Sequence, residues 1–156
     1  MSDTQKPRIL FVCSLLGARS LLACHFLNEL CGDQISAKAA GFEKDTFGPR
    51  IRNFLAERGI TLPEESPETV FTCYSNKEEF DYVVLMCTDA AKELCPIFSR
   101  SVNTLYQTVA RQVQWHIPDF RSIQGDQQFV MEQWDLIVEQ IREKAADFAE
   151  QELNIK

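Results

Sequence analysis

The chain has 156 residues, enough for one domain with a real core and short for two. With 45% hydrophobic and 25% charged residues it belongs among globular proteins, and a net charge of −7 argues against nucleic acid as a general partner. No apolar stretch approaches the ~20 residues of a membrane span, and the polar segment before Arg8 carries no secretory core, so no membrane is expected. Six cysteines without such a signal point to a reducing compartment, and the cytoplasm is the expected location.

In chain order, the apolar run Ile9 to Val12 reads as a buried strand ending at Cys13. A helix follows, with Leu22, Phe26 and Leu30 on one face and a stop at Gly32. Ile35 to Ala40 reads as a short strand ending at Gly41. A second helix begins near Pro49, buries Ile51, Phe54 and Leu55, and stops at Gly59. Tyr82 to Met86 has the apolar run of a strand in the middle of a parallel sheet. Asp126 to Leu153 gives the clearest helix, with Trp134, Ile137, Val138, Ile141, Ala145 and Phe148 at three-four spacing. Strands alternating with helices predict an α/β fold, a doubly wound parallel sheet flanked by helices, as a single domain over 1–156 with its core at about 7–150. Ligand sites in such sheets lie beyond the carboxyl ends of the strands, where Cys13 and Cys87 both fall.

The stretch from Cys13 to Ser20 carries the most chemistry. Ser14, Leu15, Leu16, Gly17 and Ala18 separate Cys13 from Arg19, between a strand and a helix. Backbone N–H groups of such a loop can converge on an anion, and the helix N-terminus adds partial positive charge. The planar guanidinium of Arg19 can grip two oxygens of a tetrahedral anion. The same field favours a thiolate at Cys13, and Ser20 can donate a hydrogen bond to it. The alternative is a buried strand-end thiol beside a helix-start charge.

Taken with Ala39-Ala40-Gly41, Gly48-Pro49 and Ile117-Pro118-Asp119, this loop resembles the low-molecular-weight protein tyrosine phosphatase superfamily, which includes thioredoxin-coupled arsenate reductases. The resemblance covers about residues 7–150 and implies that the doubly wound parallel sheet is four-stranded, that Cys13 is the nucleophile, that Arg19 and the loop bind a tetrahedral oxyanion, and that Asp119 is the general acid. From its own surroundings Asp119 also fits a turn after Pro118. Cys87 and Cys95 resemble the redox pair of the reductases. In that mechanism Cys87 attacks Cys13, Cys95 then attacks Cys87, and thioredoxin reduces the resulting Cys87–Cys95 disulfide. Were residues 87–95 helical, the two Cα atoms would stand ~12 Å apart, against the ~4.4–6.8 Å of a disulfide, so the stretch would have to unwind. The alternative is two core thiols flanking a short helix.

The chain departs from the family pattern in several places. Leu15-Leu16 replaces Gly-Asn in the loop, Ala18 stands where phosphatases often have a second cysteine, and Phe120 replaces the proline after the acid. The phosphatases' tyrosine pair is absent, with Phe120, Arg121 and Ser122 in its place. Cys24 stands where some reductases carry a cation-binding glutamate, so no potassium site is expected.

The resemblance thus implies a cysteine-nucleophile enzyme acting on a small oxyanion. Arsenate reduction by Cys13, Cys87 and Cys95 comes first, and phosphotyrosine hydrolysis through a Cys13 phosphocysteine second. A catalytically weak anion- or partner-binding relative is the third reading. No metal or cofactor is expected beyond an external reductant such as thioredoxin, and two histidines with scattered cysteines show no zinc spacing. Core packing or chance placement is expected for Cys24, Cys31 and Cys73, and a surface or structural place for His25. The run Lys77-Glu78-Glu79 reads as a solvated face.

Overall fold

Every residue of strand β1 (Arg8–Cys13) after Arg8 is buried, on both faces of the strand. Such burial requires neighbours on both edges and cover above and below, which is the environment of a central parallel strand. The computed structural model describes residues 6–13, 18–41, 49–62, 70–86, 111–118, 120 and 123–154. Within these, β1 is followed by helix α1 (Ala18–Cys31), strand β2 (Ser36–Gly41), helix α2 (Pro49–Ala56), helix α3 (Val70–Ser75), strand β3 (Tyr82–Met86), strand β4 (Arg111–Trp115) and helix α4 (Gln127–Gln151). The strands form one parallel sheet in the order β2-β1-β3-β4. Both the α/β class and the four-stranded parallel sheet agree with the sequence.

Register then places the functional end. Cys13 lies opposite Gly41 on one side and Met86 on the other, and Met86 lies opposite Trp115. The carboxyl ends of all four strands therefore line one rim of the sheet. The order in which strands are added reverses between the parallel neighbours β1 and β3, since β2 lies outside β1 while β4 lies outside β3. Ligands of doubly wound sheets bind at this kind of switch point.

One sheet face, with Ile9, Phe11, Cys13, Val84, Met86 and Trp115, joins the core formed with α1 and α4. Burying a side chain such as Phe11 contributes about 1.5–3 kcal/mol. The opposite face carries Leu10, Val12, Val83 and Leu85, all buried as well. The whole stripe expected on α4 is buried, and Asp126 caps that helix by accepting from Phe129 N at 2.9 Å.

Helix α2 starts at Pro49, as read from the sequence, but its last helical residue is Ala56. Gly59 still ends it. At φ +78 it donates to Ala56 O while Ile60 N reaches Leu55 O, and buried Ile60 and Leu55 complete the left-handed stop.

Two expectations are corrected. Leu30 is 48% exposed, because the buried face of α1 passes from Leu27 to Cys31 and leaves Leu30 outside. Glu78 is not part of a solvated run: both of its carboxylate oxygens accept from Lys38 Nζ at 2.8 Å, tying the loop before β3 to β2. Lys77 and Glu79 beside it are exposed. Helix α3 and strand β4 were not singled out in the sequence. Cys24, Cys31 and Cys73 are buried, in keeping with core packing. Among the described residues no helix is long and apolar enough to cross a membrane.

Candidate functional site

Strand β1 ends by burying Cys13, and α1 opens a few residues later with Ala18, Arg19 and Ser20. The Cys13 Sγ and Ser20 Oγ atoms are 3.3 Å apart in a buried contact, within reach of a hydrogen bond to sulfur. Ser20 is fully buried in the first turn of α1, where the helix's unsatisfied N–H groups and dipole concentrate positive charge. The Cys13 thiol at a strand end, a hydroxyl on the facing helix turn and the Arg19 cation between them in sequence thus share one end of the sheet.

Arg19 is 2% exposed and heads the fully buried side chains by volume. A charge so deep is costly unless hydrogen bonds hold it. Its Nη1 donates to Ile117 O at 2.7 Å, across 98 positions of sequence. The guanidinium therefore ties the start of α1 to the segment after β4, which leads to Asp119. A guanidinium carries five donors in a rigid fork, so this bond also fixes its plane.

On the far side of Asp119, Phe120 is 1% exposed, and its carbonyl accepts from Trp134 Nε1 at 2.9 Å. The Phe120 and Trp134 rings meet edge to face at 5.7 Å. Trp134 also meets Phe54 of α2 at 5.2 Å.

Of the residues expected at the site, Cys13 and Ser20 are brought into contact, Arg19 stands beside Ser20 in the first turn of α1 with its guanidinium on Ile117 O, and Ala18 opens the helix. Ser14, Leu15, Leu16, Gly17, Cys87, Cys95, Asp119, Arg121 and Ser122 lie outside the described residues. His116 is exposed, and His25 is half-buried on α1 with Nε2 3.4 Å from Glu29. Sequence reasoning missed the Ile117 carbonyl and the Trp134 indole, since neither a backbone acceptor nor a tertiary hydrogen bond leaves a local pattern. It also assigned Cys24 nothing beyond packing. Burial pushes the Cys24 thiol far above its ordinary range, and negative charge on Cys13 pushes it further the same way. Cys24 thus stays protonated beside Cys13. Among the described residues no cluster of histidine, cysteine or carboxylate side chains could hold a metal ion.

Residues 8–156 match the family model described as low molecular weight phosphotyrosine protein phosphatase. An arsenate reductase of Oceanobacillus iheyensis is 25% identical over 142 residues, covering 91% of each chain. The crystal structure of an arsenate reductase from Archaeoglobus fulgidus has a TM-score of 0.57 at 23% identity, covering 88% of this chain and 98% of its own. An arsenate reductase solved in its phosphate binding state has a TM-score of 0.66 at 19% identity, covering 91% and 95%. At these identities the two solved structures establish a shared fold.

Proposed function

The chain belongs to the low molecular weight phosphotyrosine protein phosphatase family, a family of enzymes, and from that premise we propose that it is a thiol-dependent arsenate reductase with Cys13 as nucleophile. The observation that carries this reading is the buried 3.3 Å contact between Cys13 Sγ and Ser20 Oγ at the mouth of α1. A hydroxyl there stabilises a thiolate before attack and a thiolate leaving group afterwards.

In this reading the loop 14–18 and Arg19 hold arsenate. The Cys13 thiolate attacks arsenic and a hydroxide departs as water, with Asp119 supplying the proton. Cys87 as thiolate then attacks the Cys13 sulfur. The pair of electrons in the sulfur–arsenic bond passes to arsenic, which leaves as arsenite, and a Cys13–Cys87 disulfide forms. Attack by Cys95 on Cys87 frees Cys13. The Cys87–Cys95 disulfide then takes two electrons from an external dithiol such as thioredoxin. The likeness to the arsenate reductase from Oceanobacillus iheyensis and the presence of Cys87 and Cys95 support the reductase reading.

Phosphotyrosine hydrolysis would use the same Cys13, Arg19 and Asp119. It is disfavoured by Phe120, which is buried against Trp134 and so cannot frame a substrate's aromatic ring. The deciding experiment assays pure protein with arsenate plus thioredoxin, its reductase and NADPH, and separately with an aryl phosphate. Arsenate-dependent NADPH oxidation that disappears in Cys13→Ser, Cys87→Ser and Cys95→Ser supports the reductase. A Cys13–Cys87 disulfide trapped in Cys95→Ser, found by mass spectrometry, supports it independently. Aryl phosphate hydrolysis without arsenate reduction makes the protein a phosphatase, and neither activity makes it an anion- or partner-binding relative.

A further inference from the structure

Two arginines of this chain reach a backbone carbonyl through the same nitrogen. Arg58 donates from Nη1 to Phe54 O at 3.0 Å, while its Nε and Nη2 donate to the two carboxylate oxygens of Asp135, the Nη2 bond at 2.9 Å. Arg19 donates from Nη1 to Ile117 O at 2.7 Å. Nη1 lies on the Cδ side of the guanidinium, so a bond through it does not use the parallel Nε–H and Nη2–H pair. That pair is the edge that matches two oxygens of one anion. At Arg58 it holds a carboxylate.

The Ile117 carbonyl is itself a fixed acceptor. The Ile117 side chain is 1% exposed within the core, and the next residue is Pro118. A proline ring clashes with helical geometry in the residue before it, which keeps that residue extended and so sets the direction of its carbonyl. A buried side chain and a ring thus hold Ile117 O from either side, and the bond to Ile117 O sets the plane of the guanidinium.

We propose that Pro118 is a positioning residue for oxyanion binding: by fixing the Ile117 carbonyl it turns the Arg19 guanidinium so that its Nε–Nη2 edge meets two oxygens of the substrate. This rests on the reading of Arg19 as the anion-binding cation. Arg58 carries both halves of the arrangement, tether and clamp, on one guanidinium. A planar fork grips two oxygens only in its own plane, and a misplacement of ~1 Å can cost about a hundredfold.

Pro118→Ala releases the backbone of Ile117 and, at a half-buried position, removes little packing. Calorimetric titration with inorganic phosphate should give a Kd about tenfold weaker than wild type, at a melting temperature close to wild type. In an Arg19→Lys background the same substitution should weaken phosphate binding less than about twofold, because an ammonium has no plane to set. Unchanged phosphate affinity in Pro118→Ala, or the same loss in both backgrounds, would overturn the proposal. If Arg19→Lys alone binds phosphate as wild type does, the anion reading of Arg19 falls and takes the positioning role with it. If Arg19→Lys weakens binding and Pro118→Ala does not, only the positioning role falls. A second measurement serves should Pro118→Ala fail to fold. Ile117-Pro118 is the only Ile-Pro pair in the sequence, so protein with carbonyl-labelled isoleucine and nitrogen-labelled proline gives one carbonyl–nitrogen correlation by NMR. Its carbonyl resonance should move upfield in Arg19→Met, which has no donor, and keep its wild-type position when phosphate saturates the protein. An upfield move on phosphate binding, or none in Arg19→Met, would equally overturn the proposal.

Discussion

Helices α1 and α4 pack against each other and against the same sheet face, yet they are built on opposite plans. Helix α4 is amphipathic: eight buried residues make one stripe, and charged and amide side chains cover most of the rest, with Phe129 and Leu136 exposed among them. Helix α1 carries little charge and buries Leu22, Ala23, Cys24, Phe26, Leu27 and Cys31, after beginning with a buried arginine and a buried serine. The first is a scaffold element whose sequence declares where it lies. The second spends its opening turn on polar groups in the core, a choice that costs stability and gains a positively polarised helix end facing Cys13. Substitutions should therefore act on turnover at the start of α1 and on stability along α4.

The largest separation is expected from Arg19→Lys. Lysine keeps the charge and can still reach Ile117 O, but lacks the planar fork, so kcat should drop about a hundredfold to a thousandfold while the melting temperature stays close to wild type. Turnover near wild type would mean that Arg19 is a structural cation, and the contrast between the helices would collapse. On α4, Ile141→Ala removes a fully buried side chain where α4 meets the core and should cost about 2–5 kcal/mol in denaturant unfolding, with kcat retained in the folded fraction.

Removing the α4 cap by Asp126→Ala should cost about 1 kcal/mol, again without a change in turnover. Stability against pH gives a subtler test. The raised folded-state value of Cys24 means the unfolded chain loses that proton first as pH rises. Stability should fall above about pH 9 by up to about 1.4 kcal/mol per pH unit from this thiol, and Cys24→Ala should flatten that alkaline slope. Smallest of all, Leu136→Lys on the exposed face of α4 should change stability by less than about 0.5 kcal/mol.

Legibility in the sequence followed burial. Strands β1 and β3 are buried nearly throughout, so each shows as an apolar run, and α4 shows by its stripe. Strand β4 reads Arg-Gln-Val-Gln-Trp and buries only Trp115, because among the described residues it lies at the sheet edge beside β3, and such a strand needs no apolar run. Six-residue α3 is too short for a helical period to emerge. At the site, Cys13, Arg19 and Ser20 were legible because they are local, within one strand-to-helix turn. The bonds from Arg19 to Ile117 and from Trp134 to Phe120 join elements distant in sequence, and only the fold brings their partners together.

The strand order has a consequence for how the chain is made. Ile9 pairs with Ala37 on one side and with Tyr82 on the other. As the polypeptide leaves the ribosome, β1 can join β2 early, but its second edge stays bare until β3 has been synthesised. A bare apolar strand edge is a template for pairing with other chains. For that interval Cys13, at the end of β1, lacks its cover from Met86 and is open to oxidation or to mixed disulfides. Cys13 is thus most vulnerable before the fold is complete, and the yield of active protein should depend on the thiol redox state during synthesis more than after it.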